Sequence, residues 1–254
     1  MHPNLFSIGP ITIHTYGIFV ATGIFCGVLV AMKIAKENGI SPNIISDICF
    51  WMIVSGVVGA RIVYVIANIG YYIKYPIEIL EIWKGGLIFC GGLISACISA
   101  IWFIKKYELD FWTIGDILGP GVALGQAIGR LGCFMAGCCY GKPTNCPWAV
   151  VFHDPHSLAP LNIPLHPTQI YHSLACLIIF MILILMKKFQ TYRGQIFLWY
   201  LVLHSIQRLL IERFRGDCRP VFFGNMTITQ FTSLIILITA GIFIILKKKE
   251  NTQK

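Results

Sequence analysis

The sequence predicts an all-α, polytopic membrane protein. Of its 254 residues, 56% are hydrophobic and only 12% are charged, and the mean hydropathy is +0.74. A soluble domain carries about 25% charged residues. The apolar residues also stand in long blocks, which is typical of helices that cross a bilayer and not of an amphipathic soluble fold.

Seven apolar blocks predict about seven transmembrane helices, at residues 13–33, 44–68, 86–104, 113–132, 166–186, 195–212 and 226–246. We expect a single transmembrane domain over residues 1–254, with a small extracytoplasmic cap. Residues 69–85 are too polar to span, but their Tyr, Ile, Leu and Trp predict an interfacial arm. Residues 141–165 are rich in proline and predict an extracytoplasmic loop. Residues 1–10 lack the basic start of a signal peptide, so we expect the first span to be retained.

The basic residues predict the orientation of the chain in the membrane. The net charge is +9, but most lysines stand at alternate ends of the predicted spans, namely Lys33, Lys36, Lys105, Lys106, Lys187, Lys188, Lys247, Lys248, Lys249 and Lys254, together with Arg193. By the positive-inside rule these ends are cytoplasmic, so the N-terminus lies outside and the C-terminus inside. The same positions explain the charge without a nucleic acid partner.

The remaining arginines lie within spans or at the opposite, outer ends: Arg61, Arg130, Arg208, Arg213, Arg215 and Arg219. An arginine among apolar residues usually marks a functional site, and its planar fork suits two-point contact with a phosphate. In the fourth span, Gly121, Gly125 and Gly129 recur every four residues, which predicts close helix packing. Gly129 directly precedes Arg130, where the absence of a side chain also lets a ligand approach the backbone.

Several motifs, in the same order along most of the chain, resemble the bacterial prolipoprotein diacylglyceryl transferase family. The stretch "GRLGCFMAGCCYG" resembles the family signature Gly-Arg-Leu/Phe-Gly-Asn-Phe-x-Asn-Gly-Glu-x-x-Gly. The others are "FSIGPITIHTYGIFVATG", "GVVGARIVYV", "WKGGLIFCGGLI", "LHPTQIYHS" and "IERFRGDCRP".

The resemblance implies a transferase of the bacterial inner membrane, with no cofactor. The family moves the diacylglyceryl group of phosphatidylglycerol onto the lipobox cysteine thiol of a prolipoprotein signal peptide, and membrane lipids surround the site. It implies catalytic roles for Arg130, Arg215, Tyr16, His166 and Cys90. Substrate-binding roles fall on Arg130, Arg61, Gly129, Cys133, Cys138, Gly141 and Gln169. His166 is favoured as a base because it begins a span on the outer side within a matched motif.

The sequence departs from the family pattern at four polar positions. Cys90 stands in place of a histidine, Cys133 and Ala136 in place of two asparagines, and Cys138 in place of a glutamate. Because Cys90, Cys133 and Cys138 stand at positions that are polar and functional in the family, we expect them to line the pocket of Arg130. A thiol beside an arginine is then expected to be reactive.

Three interpretations of the cysteines stay open. Cys26, Cys49, Cys97 and Cys176 need no role beyond small apolar filling. The candidate redox pairs on the oxidising face are Cys90 with Cys133, Cys138 or Cys139, or else Cys139 with Cys146. Metal binding with a histidine such as His166 is the third interpretation. We predict no metal, because C-x4-C-C is not a standard zinc spacing.

Two other classes of protein compete with the enzyme. A non-catalytic or redox-regulated protein that binds lipid or peptide on the same fold would tolerate the loss of the family's polar groups. A transporter is disfavoured, since transporters often show inverted repeats and this sequence shows no repeat.

Overall fold

A computed structural model describes residues 3–8, 11–81, 85–217, 221–223 and 226–252. Its α-helices are α1 (Thr15–Glu37), α2 (Pro42–Ala67), α3 (Ile69–Tyr72), α4 (Phe89–Lys106), α5 (Phe111–Ala136), α6 (Thr168–Lys187), α7 (Gln195–Glu212) and α8 (Ile228–Thr252), and a 3-10 helix covers Pro76–Leu80. Arg219, Lys254 and residues 82–84 of the predicted arm lie outside the described residues.

The predicted fold class is confirmed. Within the described residues, six helices (α1, α2, α4, α5, α6 and α8) are long and apolar enough to cross a membrane. The sixth predicted span, 195–212, is α7, a helix over those same residues. α7 is not among those six helices, and Gln207, Arg208 and Glu212 occupy its last two turns.

Three short antiparallel strand pairs complete the described structure. β1 (Asn4–Ile8) pairs with β2 (Ile11–His14) before α1, β3 (Val150–Val151) with β4 (Pro164–Leu165), and β5 (Val221–Phe223) with β6 (Met226–Thr227). β3 and β4 belong to the predicted extracytoplasmic loop, where Phe152, Ala159 and Leu165 form a small buried cluster. This cluster gives the loop an apolar core of its own.

The described chain divides into two compact units, Met1–Ala31 with Gly115–Lys254, and Met32–Ile114. The single domain predicted from the sequence stays a prediction, and each unit is described by itself.

In the first unit, α1 and α5 pack through glycines, as the four-residue spacing predicts. A Cβ atom on Gly27 would lie 2.6 Å from the carbonyl oxygen of Gly121, and one on Gly23 equally close to that of Gly125. The two backbones therefore touch, which only residues without side chains allow. Gly129 is different, because a Cβ atom there would meet nothing within 4 Å.

Asp116 fixes the start of α7 within the first unit. Its buried carboxylate accepts hydrogen bonds from the backbone N–H groups of Gly194 (2.6 Å) and Phe197 (2.8 Å) and from Gln190 Nε2 (2.6 Å). Gly194, which precedes α7, has a left-handed backbone with φ of 90°. A carboxylate at this place satisfies the free N–H groups of a helix start and complements its dipole.

In the second unit, α2 and α4 also pack through small residues. A Cβ atom on Gly92 would lie 2.9 Å from the carbonyl oxygen of Gly56, and one on Gly59 would collide with the side chain of Ser95. The same unit holds α3 and the 3-10 helix of the predicted interfacial arm. Ile73, Ile77 and Leu80 of that arm are 73%, 80% and 76% exposed, as an element that lies in a membrane interface requires.

Candidate functional site: a thiol cluster and an unpaired arginine

Three cysteine side chains meet where α5 ends. Cys133 lies in the last turn of α5, and Gly137 then reverses the chain with a left-handed φ of 73°. The Cys138 thiol donates a hydrogen bond to the Cys133 carbonyl oxygen (3.7 Å), and the sulfur atoms of Cys133, Cys138 and Cys139 all lie within 4.8 Å of one another. The three cysteines thus form a compact cluster because α5 ends between Cys133 and Cys138 and the chain turns back.

The backbone of Cys139 is held in an uncommon conformation. Its φ is 59°, a left-handed value that costs a side-chain-bearing residue about 1–2 kcal/mol. Such a backbone persists only where the surroundings fix it, and it is often found at functional sites.

The first turn of α6 provides that fixation. Thr168 Oγ1 donates a hydrogen bond to the carbonyl oxygen of Cys139 (2.7 Å), and Gln169 Nε2 donates one to that of Cys138 (2.8 Å). Thr168 and Gln169 are fully buried. The predicted site residue Gln169 therefore contacts the thiol loop through the backbone of that loop.

The thiol cluster carries a polarised sulfur at Cys139. Hydrogen bonds from the thiols of Cys133 and Cys138, aided by the charge of Arg215, hold the pKa of Cys139 well below its usual value despite its burial. Interaction with the neighbouring thiols of Cys133 and Cys139, together with burial, raises the pKa of Cys138. Of these two neighbouring thiols, Cys139 is thus the one that ionises first.

Arg215 lies against this cluster and is buried. Its Nε and Nη2 donate to the two carboxylate oxygens of Asp217, at 2.9 and 2.7 Å. Burial disfavours the charged guanidinium, but Asp217 and the sulfur of Cys139 outweigh that effect and raise the pKa of Arg215. The guanidinium is therefore a permanent cation beside Cys139.

Arg130 contrasts with the other arginines of the helices. Arg61 is satisfied by backbone carbonyls, and Arg208 contacts His172 Nε2 (3.5 Å) and the Glu212 carboxylate (3.7 Å). Within the described residues, Arg130 has neither a hydrogen-bond partner nor an ion-pair partner, although it lies in α5 and is half-buried. An arginine in a span without a protein counterion is expensive, which indicates a place for an anionic group.

Arg130 lies near the thiol cluster. Arg130 lies within electrostatic range of Tyr16 and Cys133. Tyr16 begins α1 and is 44% exposed; a Cβ atom on Gly132 would come within 3.1 Å of its carbonyl oxygen. Gly129, the residue before Arg130, faces open space. The structure thus brings together the predicted residues Tyr16, Gly129, Arg130, Cys133 and Cys138.

Gly141 joins the thiol loop to two other segments. Its N–H donates to the His166 carbonyl oxygen (3.1 Å), and the next N–H, of Lys142, donates to that of Phe214 (2.8 Å). A Cβ atom on Gly141 would collide with His166 and lie 2.9 Å from the Phe214 oxygen. Gly141 is buried in this crossing, so its glycine is required by packing.

His166 is oriented by two aromatic residues. Its Nδ1 shares a hydrogen bond with the Tyr171 hydroxyl (3.1 Å), which also accepts one from Trp148 Nε1 (2.7 Å). The His166 ring packs against Phe214 with 5.2 Å between ring centroids. Within the described residues, Nε2 makes no hydrogen bond, so one ring nitrogen stays available for a proton.

Two predicted site residues, Arg61 and Cys90, lie in the second unit. Arg61 is buried, and its donors reach five backbone carbonyl oxygens, those of Glu78, Ile79, Glu81, Gly85 and Gly86. A guanidinium has five N–H groups, so this arrangement engages them all and favours a role in holding the arm. Cys90 lies at the start of α4 and is exposed. Their roles toward substrate stay predictions.

The other polar residues are explained by contacts between helices. His172 is buried in α6, with Nδ1 bound to Gln207 and Nε2 to Arg208. Glu212 accepts hydrogen bonds from Thr227 (3.0 Å) and Thr229 (2.8 Å) and pairs with Arg208.

The described cysteines are all free thiols, and a reversible redox pair among them stays a prediction. Cys49 and Cys176 are buried, as expected of filler, whereas Cys97 is exposed. Sequence analysis missed Thr168 and Asp217. The only available signal was their position inside the motifs "LHPTQIYHS" and "IERFRGDCRP".

The fold and this site define a polytopic membrane protein in which an arginine with no counterion in the described part of the chain lies beside a thiol cluster at the end of a span. The profile described as prolipoprotein diacylglyceryl transferase matches residues 3–246. The phosphatidylglycerol–prolipoprotein diacylglyceryl transferase of Finegoldia magna is 39% identical over 250 residues, which are 98% of this chain and 96% of the Finegoldia protein. The protein of the same name from Clostridium tetani is 36% identical over 247 residues, 96% of each chain.

The chain therefore belongs to the prolipoprotein diacylglyceryl transferase family. The resemblance that the sequence motifs indicated is confirmed.

Proposed function

We propose that this chain transfers the diacylglyceryl group of phosphatidylglycerol to the lipobox cysteine of a prolipoprotein signal peptide. The thiol sulfur forms a thioether with the glyceryl carbon, the carbon–oxygen bond to phosphate breaks, and glycerol phosphate leaves. The observation that carries the proposal is Arg130 in α5, which has no partner among the described residues, in a chain that belongs to a family of such transferases.

Arg130 is the proposed ligand of the lipid phosphate. A guanidinium offers two parallel N–H donors to a phosphate, and this contact is most stabilising where water is excluded. The open space at Gly129 supports this role, since no side chain blocks the approach on that side. The phosphate gains negative charge as it leaves, so the same contact strengthens in the transition state.

The remaining site residues have supporting roles in this proposal. Arg215 adds positive charge beside the thiol loop, and Asp217 holds its orientation. Tyr16 presents a hydroxyl from the exposed start of α1. His166 receives the thiol proton through Nε2, because its other ring nitrogen is engaged by Tyr171.

The lysine pattern and the family support the proposed location. The chain is a multi-pass membrane protein, and we place it in the bacterial inner membrane with the N-terminus outside and the C-terminus in the cytoplasm. The exposed apolar residues of the arm support contact of that segment with membrane lipids. Reporter fusions test the orientation: a fusion after the last residue is expected to be active only as a cytoplasmic reporter.

Complementation tests the function. We expect the chain to restore growth, and lipidation of the lipobox cysteine, in a bacterium depleted of its own transferase. Arg130→Gln is expected to abolish the rescue, whereas Arg193→Gln, at an exposed predicted cytoplasmic position, retains it. Failure of a well-expressed wild-type chain to lipidate any prolipoprotein would contradict the proposal.

The second candidate function is non-catalytic binding of lipid or peptide. It is favoured by one observation, the cysteines and alanine at four positions that are polar in the family pattern. In that case the chain binds phosphatidylglycerol through Arg130 but produces no thioether. Measuring lipid binding together with complementation separates the two functions, because a chain that only binds would bind the lipid but not restore lipidation.

A further inference from the structure

The three sulfurs of Cys133, Cys138 and Cys139 form an arrangement that the transfer reaction above does not use. Within the described residues, no other three His, Cys, Asp or Glu side chains converge as they do, with sulfurs within 4.8 Å of one another. All three residues are only half-buried, so a small solute reaches them.

We propose that Cys133, Cys138 and Cys139 bind a thiophilic divalent metal, with Zn²⁺ as the best fit. A tetrahedral zinc with thiolate bonds of about 2.3 Å places its sulfurs ~3.8 Å apart. The observed spacing therefore needs shifts of about 1 Å or less to close on the ion. Three soft sulfur ligands also select zinc over the hard cations Mg²⁺ and Ca²⁺.

The loop around the sulfurs is held as a ligand loop requires. Gly137 and Cys139 both have positive φ values, which turn the chain so that sulfurs five and six residues beyond Cys133 face it. The hydrogen bonds of Thr168 and Gln169 fix the carbonyl groups of the two loop cysteines. Such outer contacts orient first-shell ligands and typically decide metal affinity.

The charges beside the cluster also suit a metal–thiolate group. Zn²⁺ with three thiolates carries one net negative charge, and the buried guanidinium of Arg215 lies beside Cys139. Asp217 pairs with Arg215 and offsets part of that positive charge. Arg130, which has no counterion in the described part of the chain, lies close by. The positive charge of these two guanidinium groups thus favours a cluster that carries negative charge.

Three protein ligands leave the fourth position of the zinc open, as in catalytic zinc sites. Resting on the proposed function, we assign this position to the acceptor cysteine of the prolipoprotein. Its thiol gives its proton to His166, the base of the proposed function, as it binds the metal, and the resulting thiolate attacks the glyceryl carbon. The carbon–oxygen bond breaks, the phosphate oxygen keeps the electron pair, and no oxidant or reductant takes part.

Metal analysis of the purified full-length chain tests the site itself. We expect stoichiometric zinc after incubation with Zn²⁺ and desalting, and a Co²⁺-loaded chain with the charge-transfer absorption of cobalt thiolate. Each of Cys133→Ser, Cys138→Ser and Cys139→Ser is expected to weaken zinc binding about tenfold or more. Cys146→Ser, in the same loop region but outside the cluster, serves as the matched control and keeps the metal.

Alkylation makes the test independent of how well the serine variants fold. In the wild-type chain, bound zinc is expected to protect the three thiols from iodoacetamide, and a chelator is expected to expose them, while Cys146 reacts equally in both states. Absence of zinc with all three thiols reactive overturns the site. A disulfide among the three that persists in the presence of Zn²⁺ overturns it too, and favours a redox pair.

The acceptor step has its own readout. A lipobox peptide is expected to shift the absorption of the Co²⁺-loaded chain, whereas the same peptide with serine for cysteine is not. Metal binding without this shift overturns the fourth-ligand assignment alone. A shift without any thioether product in the presence of phosphatidylglycerol contradicts the proposed function and leaves the metal site standing.

Discussion

Thr168 donates a hydrogen bond from Oγ1 to the carbonyl oxygen of Cys139 over 2.7 Å, and so joins the start of α6 to the loop that follows α5. Cys139 has a positive φ, and Thr168 is fully buried. One hydroxyl group thus holds the least favourable backbone conformation of the thiol cluster in place.

Replacing Thr168 with valine removes this hydroxyl and keeps the shape of the side chain. We expect a loss of about 1 kcal/mol in stability, and more if the carbonyl stays buried without a partner. Thermal unfolding in detergent measures it. Thr239→Val, an exposed α8 threonine whose hydroxyl also donates to a backbone carbonyl, is the control. Equal losses in the two variants would contradict the special role of Thr168.

Arg130→Lys tests the two-point contact with phosphate. Lysine keeps the charge but lacks the planar fork, so we expect turnover to fall about a hundredfold, as for the loss of one transition-state donor. Arg193→Lys, exposed at the start of the α7 region, is expected to change nothing. Unchanged turnover and unchanged affinity for phosphatidylglycerol in Arg130→Lys would exclude the proposed role.

Gly27→Ala tests the packing of α1 on α5. The new methyl group would lie 2.6 Å from the Gly121 oxygen, and relieving such overlap costs about 1–3 kcal/mol. Gly17→Ala, in the same helix, meets nothing within 4 Å and is expected to leave the unfolding temperature unchanged or raise it. The same unfolding temperature in both variants would show that the two backbones do not touch.

Arg61→Gln tests whether Arg61 holds the arm or binds lipid. Because five carbonyl oxygens lose a charged donor, we expect a loss of about 2 kcal/mol or more and faster proteolysis of the arm. Lys74→Gln, on the exposed surface of the arm, is the control. A variant of unchanged stability whose KM for phosphatidylglycerol rises would instead make Arg61 a lipid ligand.

Much of the fold follows from patterns that the sequence displays. The block at 195–212 predicts α7 to the residue, and the recurrence of Gly121 and Gly125 predicts the contact with α1. Both features are periodic and local, so hydropathy and spacing detect them. The same reasoning fails at Gly129, where a Cβ atom would meet nothing within 4 Å. The contact with α1 continues instead at Gly132, against Tyr16 and Phe19, and Gly132 does not belong to the four-residue period.

The site is less visible in the sequence because its key contacts involve backbone atoms. Thr168 and Gln169 bind carbonyl groups about 30 positions earlier in the chain, and Arg61 binds carbonyls of the arm. Every residue has a carbonyl, so residue identity carries no signal for such partners. The sequence singles out Arg130 as an arginine in a span. Only the structure reveals that Glu212 pairs with Arg208 and that Arg130 has no ion-pair partner among the described residues.

The central claim, transfer of a diacylglyceryl group to a thiol, is tested most directly with purified chain in phosphatidylglycerol vesicles and a synthetic lipobox peptide. Mass spectrometry of the peptide is the readout. We expect the cysteine to gain one diacylglyceryl group through a thioether, only with phosphatidylglycerol and not with phosphatidylethanolamine vesicles. A chain that binds the lipid and the peptide yet leaves the peptide mass unchanged would contradict the claim.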